Sequence, residues 1–355
     1  MILPVLPEKI NKILQKGVVI PALPLALNKD RKLDERRQRA LIRYYLDAGA
    51  GGIAAGVHTT QFEIRKPEFN LFEKILDIVA EEITDYTERS GKSIIKIAGV
   101  IGRTEQAINE AQFAVKAGHD AALLSLAAFQ DTQNKELLSH CHKIAEVIPL
   151  IGFYLQPAVG GRILDADFWR SFSQIQNVAA IKIAPFDRYQ TYDVVRGVAE
   201  SGRAEDIALY TGNDDNILGD LLTKYRIPVG SKIVHMRIVG GLLGHWAVWT
   251  KTAVKILDKV HAARSAEDIN ALLALGARVT DSNAAFFDVA NNFSGVIAGI
   301  HEVLRRQGLL EGIWTLDQNE SLSPGQKEEI NRVYTSYPDL NDDDFVRENL
   351  ERWLS

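Results

Sequence analysis

The sequence predicts an α/β fold: a closed (β/α)8 barrel, the TIM barrel, with additional C-terminal helices. Short runs rich in β-branched and small residues alternate with longer amphipathic segments eight times in succession, which is typical of a parallel sheet. The 355 residues exceed the roughly 250 that one barrel needs, leaving room for extra helices. No glycine-rich dinucleotide fingerprint follows the first run, which argues against the competing open, doubly wound sheet.

The predicted elements follow one another without a linker. The eight strands cover residues 18–25, 52–56, 94–100, 121–126, 149–154, 179–183, 207–211 and 231–239. The helices that follow them cover residues 33–48, 67–89, 104–117, 134–147, 165–172, 191–200, 217–225 and 245–262. In the first of these helices, apolar residues recur near helical spacing, and Pro67 suits the first position of the second.

Beyond residue 265 the pattern is purely helical. An apolar stripe over residues 283–307 ends at Gly308, a common helix stop, and the acidic tail contains short helical segments at 324–334 and 342–354. We therefore predict a barrel with an N-terminal extension over residues 1–264. A helical region over residues 265–355 is expected to pack on it.

Composition excludes several classes of partner. The net charge is −5 and the basic residues are scattered, so nucleic acid is not expected. No apolar run reaches the length of a spanning helix, so no membrane is expected either. The N-terminal segment is too interrupted by Pro and charge for a secretory signal. With Cys141 as the single cysteine, we expect a cytoplasmic protein.

The most informative residue is Lys182. It interrupts an apolar strand, between Ile181 and Ile183. Burial disfavours the ammonium form of a lysine and makes its amine nucleophilic, as attack on a ketone to form an imine requires. The other interpretation is a structural lysine, either paired with a carboxylate or reaching out from the strand end.

Tyr154 ends the strand before that of Lys182. The two side chains can project into one pocket, where a phenol can relay protons to and from an imine. Alternatively, Tyr154 is an interface aromatic whose hydroxyl is satisfied by the protein.

These residues resemble motifs of the dihydrodipicolinate synthase and N-acetylneuraminate lyase family of class I aldolases. The resemblance runs from about Gly17 to Leu309. Residues 153–158, Phe-Tyr-Leu-Gln-Pro-Ala, are similar to the family's Tyr-Asn-x-Pro signature, and residues 181–183 resemble its Schiff-base lysine strand. Residues 211–214, Thr-Gly-Asn-Asp, resemble its Ser-Gly-Asp-Asp turn, and residues 291–292 its late Asn-Pro element.

The resemblance implies that Lys182 and Tyr154 are catalytic, without a metal or cofactor, and that Gly212 lies against the substrate. In the family, a Gly-Thr-Thr-Gly-Glu loop holds the carboxylate of the keto acid. The corresponding loop here contains Val57, His58, Thr59 and Thr60. Either the first two or the last two of these take the threonine positions, and backbone N–H groups of the turn can also bind a carboxylate.

Two departures argue against a true dihydrodipicolinate synthase. The position of the family's carboxylate-binding arginine is Val159, and nearby Arg162 does not match the motif. The family's relay tyrosine from a neighbouring subunit is also missing, because that region reads Leu-Ala-Ala-Phe at residues 126–129.

Three other features are assigned structural roles. The run His140-Cys141-His142 is interpreted as exposed helical surface, because adjacent helical residues point in different directions and make a poor metal site. Residues 214–215 are interpreted as a turn or helix cap rather than an ion site. The glycine-rich stretch 240–244 is interpreted as close packing rather than a phosphate cradle.

The sequence therefore predicts a lyase that forms a Schiff base with pyruvate or another 2-keto acid. A keto-sugar-acid dehydratase using the same imine and a non-catalytic keto-acid or sugar-acid binder are the alternatives. The family resemblance implies a homotetramer built as a dimer of dimers. Trp246 and Trp249 are candidates for apolar residues beyond the needs of the core.

Overall fold

Eight parallel strands and one antiparallel strand form the sheet of the chain in a computed structural model that describes residues 3–355. The nine strands are β1 (Val19–Pro21), β2 (Gly52–Ala55), β3 (Ile95–Val100), β4 (Ala121–Leu124), β5 (Leu150–Leu155), β6 (Val178–Ala184), β7 (Ala208–Thr211), β8 (Lys224–Val229) and β9 (Lys232–Leu243). Neighbouring strands pair in the order β1-β9-β7-β6-β5-β4-β3-β2. A parallel bridge between Ala22 and Ala54 joins the two ends of this order. The predicted (β/α)8 barrel is confirmed.

Helices surround the barrel and continue after it. They are α1 (Glu8–Lys16), α2 (Glu35–Ala48), α3 (Phe72–Ser90), α4 (Thr104–Lys116), α5 (Asn134–Ala145), α6 (Ala166–Ser173), α7 (Arg188–Glu200), α8 (Ile217–Leu222), α9 (Thr250–Ala262), α10 (Ala266–Phe286), α11 (Val296–Arg306), α12 (Gln326–Ser336) and α13 (Asp343–Leu354). Helix α1, in the N-terminal extension, contributes Leu14 to the apolar cluster inside the barrel. The carbonyl of Leu14 accepts a hydrogen bond from the hydroxyl of Tyr210, at 2.8 Å.

Two apolar layers follow from the alternation of side chains along each strand. Residues such as Ile97, Leu123 and Ile151 fill the barrel interior. Their neighbours Ala98, Leu124 and Leu150 face the helices and belong to the larger core outside the barrel wall. Which layer a strand residue joins decides whether it can reach a site inside the barrel.

Four predicted helices differ from the structure. Those predicted over 67–89 and 245–262 begin later, at Phe72 and Thr250, so Pro67 does not occupy a first helical position. The segment predicted as a helix over 217–225 is helical only to Leu222, and β8 then pairs antiparallel with β9. The apolar stripe over 283–307 is not one helix, because α10 ends at Phe286 and α11 begins at Val296. Between them Asp288, Asn292 and Phe293 have left-handed backbones, with φ of 56°, 53° and 65°, which interrupts a right-handed helix.

Candidate active site

Lys182 points into the barrel near its C-terminal edge. It is opposite Phe153 of β5 and Tyr210 of β7, and its side chain is buried, with 8% of its surface exposed. Its Nζ lies 4.3 Å from the centroid of the Phe153 ring, within the range of a cation–π contact. The C-terminal ends of barrel strands are where the active sites of such barrels lie.

A cavity of about 70 Å³ surrounds the Lys182 side chain. Its lining comes from the ends of five strands and from α11 and the segment before it: His58, Thr59, Phe153, Leu155, Gln156, Val159, Lys182, Ala184, Phe186, Gly212, Asp214, Gly244, Phe287, Phe293, Val296, Ile297 and Ile300. Sequence reasoning missed most of the apolar members. Phe153 could have been predicted from the alternation of inward-facing residues along β5, which also places Leu155 inside.

Tyr154 is not part of this cavity. Its side chain belongs to the core between the barrel wall and the helices, where its ring packs against Trp169 with centroids 5.4 Å apart. Its hydroxyl accepts a hydrogen bond from the backbone N–H of Leu164, at 3.1 Å. The expectation that Tyr154 and Lys182 project into one pocket is wrong.

An irregularity in strand pairing accounts for this outcome. Leu150 pairs with Val178, but the next residue, Ile151, pairs with Ala180. The extra residue, Ala179, shifts the register by one, so each later residue of β5 shares a face with the β6 residue one position further along than it would without the bulge. Without it, Tyr154 would pair with Lys182.

The turn after β2 contributes its two central residues to the cavity. His58 and Thr59 line it, whereas Val57 packs with the apolar interior. The hydroxyl of Thr60 donates to the carbonyl of Leu23, at 2.7 Å, and accepts from the N–H of Val57. The sequence offered two pairs for binding the carboxylate, residues 57–58 and residues 59–60. Only one member of each pair, His58 or Thr59, faces the cavity.

The turn after β7 places Gly212 and Asp214 in the cavity. A Cβ on Gly212 would come within 2.8 Å of Cε of Lys182, so the absence of a side chain leaves room for the lysine. Oδ1 of Asp214 accepts a hydrogen bond from the backbone N–H of His245, at 3.0 Å. Residues 214–215 form a turn, as one of the two interpretations predicted. Asp214 does not cap α8, whose N-cap is Asn216, because its carboxylate binds the turn that precedes α9.

Burial shifts the pKa of each titratable group in the cavity. Desolvation lowers the pKa of Lys182 below its ordinary 10.5, while the nearby Asp214 carboxylate opposes this shift. Desolvation raises the pKa of Asp214, against the effects of the His245 N–H and of Lys182. For His58, desolvation and the charge of Lys182 lower the pKa to about 4, so its imidazole is neutral at pH 7. The site combines an amine that loses its proton readily with a carboxyl group that accepts one.

The arginine candidate does not reach the cavity. Both terminal nitrogens of Arg162 donate to backbone carbonyls, those of Phe129 and Thr132. Val159, at the position of the family's arginine, lines the cavity instead. No guanidinium belongs to the lining of this cavity.

The features that we had assigned structural roles are mostly packing elements. His140 and Cys141 are buried, which corrects the prediction of an exposed surface, and only His142 faces solvent. Within residues 3–355 there is no cluster of three or more potential metal-ligating side chains. Close packing is confirmed at Gly240, where a Cβ would lie 2.6 Å from the carbonyl oxygen of Val18.

Trp246 and Trp249 are both 2% exposed, so they are not surplus surface residues. Trp249 packs against Phe286 of α10 and Tyr334 of α12. Of the helices in residues 3–355, none has the length and apolar composition that a bilayer-crossing segment needs.

Known proteins resemble this chain in sequence and in fold. The chain is 27% identical to an N-acetylneuraminate lyase from Citrobacter koseri over 217 residues, 60% of this chain and 68% of that protein. It is 24% identical to a 4-hydroxy-tetrahydrodipicolinate synthase from Staphylococcus saprophyticus over 181 residues, 51% of this chain. That match spans 57% of the Staphylococcus protein, less than two thirds of its length.

A crystal structure of a chloride-inhibited dihydrodipicolinate synthase from Acinetobacter baumannii complexed with pyruvate has the same fold. It superposes with a TM-score of 0.71 at 20% identity and covers 90% of this chain and 98% of the other. The family model described as the dihydrodipicolinate synthetase family matches residues 15–232, more than half of the chain. The protein therefore belongs to the dihydrodipicolinate synthetase family.

Proposed function

We propose that the protein is a class I lyase of the aldolase type, in which Lys182 forms a Schiff base with pyruvate or another 2-keto acid. The observation that carries this proposal is the buried amine of Lys182 inside a cavity at the C-terminal edge of the barrel. A lowered lysine pKa leaves a larger fraction of the amine neutral and nucleophilic at pH 7. The relatives named lyase and synthase and the pyruvate in the Acinetobacter structure support the choice of substrate.

In the proposed reaction, the nitrogen of Lys182 forms a bond to the ketone carbon, and the ketone oxygen leaves as water after taking up two protons. The resulting imine is protonated and draws electrons from the neighbouring carbon. Loss of a proton there gives an enamine, and addition of the enamine to an aldehyde forms a C–C bond. The reverse sequence cleaves that bond, and hydrolysis of the final imine regenerates the amine.

Asp214 is our candidate for the group that moves these protons. It lines the same cavity as the amine, and burial raises the pKa of its carboxyl group toward the range where it both accepts and donates a proton. Tyr154 is a weaker candidate, because its hydroxyl is outside the cavity and accepts the N–H of Leu164.

For the carboxylate of the keto acid we propose His58 and Thr59. Both line the cavity, and a neutral imidazole and a hydroxyl can each donate a hydrogen bond to a carboxylate. Gly212 is proposed to contact the substrate through its backbone. A Thr59→Val variant is expected to raise KM for the keto acid about tenfold, since a hydrogen bond to a charged group is lost.

A non-catalytic keto-acid or sugar-acid binder is the second candidate. The observation that favours it is the position of Tyr154 outside the cavity, which removes the expected proton relay. A keto-sugar-acid dehydratase would use the same imine and differ in the bond that is broken. Turnover with 2-keto acids and sugar acids separates these three functions.

Borohydride trapping tests the proposal. The protein is incubated with pyruvate, reduced, and mapped by mass spectrometry, and we expect one adduct, on Lys182. Lys182→Arg is expected to abolish it. Lys251→Arg is the matched control, because Lys251 also lies over an aromatic ring, that of Phe345 at 5.1 Å, but outside the cavity. Modification only at other lysines, or none with any 2-keto acid, contradicts the proposal.

We also propose a cytoplasmic homotetramer. The single cysteine, Cys141, is buried and makes no disulfide, which suits a reducing compartment. Closed symmetric assemblies are the common state of soluble oligomers.

A further inference from the structure

The partly exposed apolar side chains around the Lys182 cavity are Val159, Phe186, Phe293 and Val296; we call them the apolar rim. We infer that the carbonyl compound that condenses with, or is released from, the Lys182 enamine is an aldehyde with an apolar substituent, aryl or branched alkyl. This inference rests on the proposed function of Lys182 and names the second substrate of that site.

The size of the cavity assigns the two parts of the substrate to different places. About 70 Å³ holds only a handful of water-sized groups, which suits a three-carbon keto acid next to the amine. The substituent of the second substrate must then extend outward, past the apolar rim. What this substituent contacts is therefore determined by the rim residues.

Among residues 3–355, Lys182 is the one Lys or Arg side chain that lines the cavity, and three arginines outside the lining contact other groups. Arg162 donates to the carbonyls of Phe129 and Thr132, and the guanidinium of Arg103 lies over the Phe129 ring at 5.5 Å. Arg188 is paired with Asp220. A carboxylate at the rim would lose its water without gaining a cation, which is costly, whereas an apolar group gains from the same burial.

The rim is held in place by the backbone. Phe186 and Phe293 pack edge to face with ring centroids 5.8 Å apart, and their φ angles are 55° and 65°. Bulky residues rarely adopt this left-handed conformation, and those that do are held by their surroundings, often at functional sites. The N–H of Phe186 donates to Oδ1 of Asn213, at 2.9 Å, so the turn that carries Asp214 also positions this ring.

The reaction needs no further reactant. The enamine carbon derived from pyruvate attacks the aldehyde carbon, the aldehyde oxygen takes up a proton, and hydrolysis of the imine releases a 4-hydroxy-2-oxo acid. The product contains all atoms of pyruvate and of the aldehyde, and nothing is oxidised or reduced overall.

The test compares aldehydes in the condensation with pyruvate. For the full chain we expect kcat/KM for benzaldehyde or isobutyraldehyde to exceed that for glyceraldehyde or glyoxylate by about tenfold or more, the scale on which an apolar pocket discriminates. Phe186→Asn removes the ring, and asparagine tolerates a left-handed backbone. This variant is expected to reduce kcat/KM for benzaldehyde about tenfold more than it reduces kcat/KM for glyceraldehyde.

The control is Tyr189→Ala, which removes an aromatic ring that is 86% exposed and lies outside the cavity; it should change neither value. Borohydride trapping of pyruvate is measured on each variant. Trapping on Lys182 together with a preference for glyceraldehyde or glyoxylate overturns this inference and leaves the proposed function intact. Absence of trapping on Lys182 overturns both.

Discussion

Tyr154 and Lys182 lie on adjacent strands but on opposite faces of the barrel wall. Lys182 is paired with Phe153 and reaches the cavity, whereas Tyr154 is paired with Ile183 and packs against Trp169 outside the barrel. The amine and the phenol are therefore separated by the sheet. A proton relay between them would need the strand to change its register, which would reverse the burial of every residue beyond the shift.

Tyr154→Phe is accordingly expected to affect stability more than catalysis. The variant leaves the buried N–H of Leu164 without its acceptor, which costs about 1–3 kcal/mol. Burial raises the pKa of Tyr154 to about 12, so the phenol is a poor proton carrier at pH 7. We expect a lower Tm, with turnover within about threefold of the wild type. Loss of a true proton relay would instead lower turnover about 100-fold or more.

Turnover and Tm of this variant should be measured on the same preparation. A loss of about 100- to 10,000-fold in rate at an unchanged Tm would restore Tyr154 to the mechanism.

Asp214→Asn is expected to lower turnover about 100- to 10,000-fold, because the proposed acid–base group is lost. Asparagine retains an oxygen that can accept the N–H of His245, so the turn should keep its shape. The carboxylate of Asp214 raises the pKa of Lys182, and its removal should lower that pKa further. Trapping requires the neutral amine. The increase in the trapping rate with pH should therefore occur at a lower pH in the variant than in the wild type.

The pH dependence of borohydride trapping checks this prediction. In the wild type the rate increases as the pH rises through the lowered pKa of Lys182, below its ordinary 10.5. A profile that is unchanged in Asp214→Asn would show that the carboxylate does not interact with the amine.

The candidate lysine could be identified from the sequence, but not most of the residues that surround it. Lys182 is conspicuous because a charged residue in an apolar inward-facing position is costly unless it has a use. Tyr154 was misassigned because the extra residue Ala179 leaves no pattern in a run of small apolar residues. The rim was also beyond prediction, because Phe293 comes from a segment more than 100 residues away whose left-handed turns resemble a continuous helix in the sequence.

Dihydrodipicolinate synthase activity is expected to be absent or very weak. Aspartate semialdehyde carries a carboxylate, and Val159 lies where the family has an arginine to bind it, while Arg162 is committed to backbone carbonyls. An assay with pyruvate and aspartate semialdehyde should give a rate far below the usual enzyme range. Turnover of roughly 1–1000 per second would contradict this prediction.

A homotetramer is still expected in solution, although Trp246 and Trp249 no longer support it because both are buried within one chain. Light scattering at micromolar protein measures the mass directly. With a chain of 39.4 kDa, a tetramer and a monomer are readily distinguished, and a stable monomer would refute the prediction.

Gly212→Ala tests whether the position of the Lys182 amine limits the reaction. The added Cβ would lie 2.8 Å from Cε of Lys182 and 2.8 Å from the Cβ of Ala184, so the lysine must move away from the β7 turn. Displacing a reacting atom by about 1 Å can cost about 100-fold in rate, whereas the end of a lysine side chain moves at little cost in stability. We expect trapping with pyruvate to slow by about 10- to 100-fold with a small change in Tm.

Gly276→Ala is the control, since it adds the same methyl group within α10, 3.1 Å from Leu218, and should leave trapping unchanged. If Gly212→Ala traps pyruvate at the wild-type rate, the position of the amine does not depend on this glycine, and the prediction is wrong.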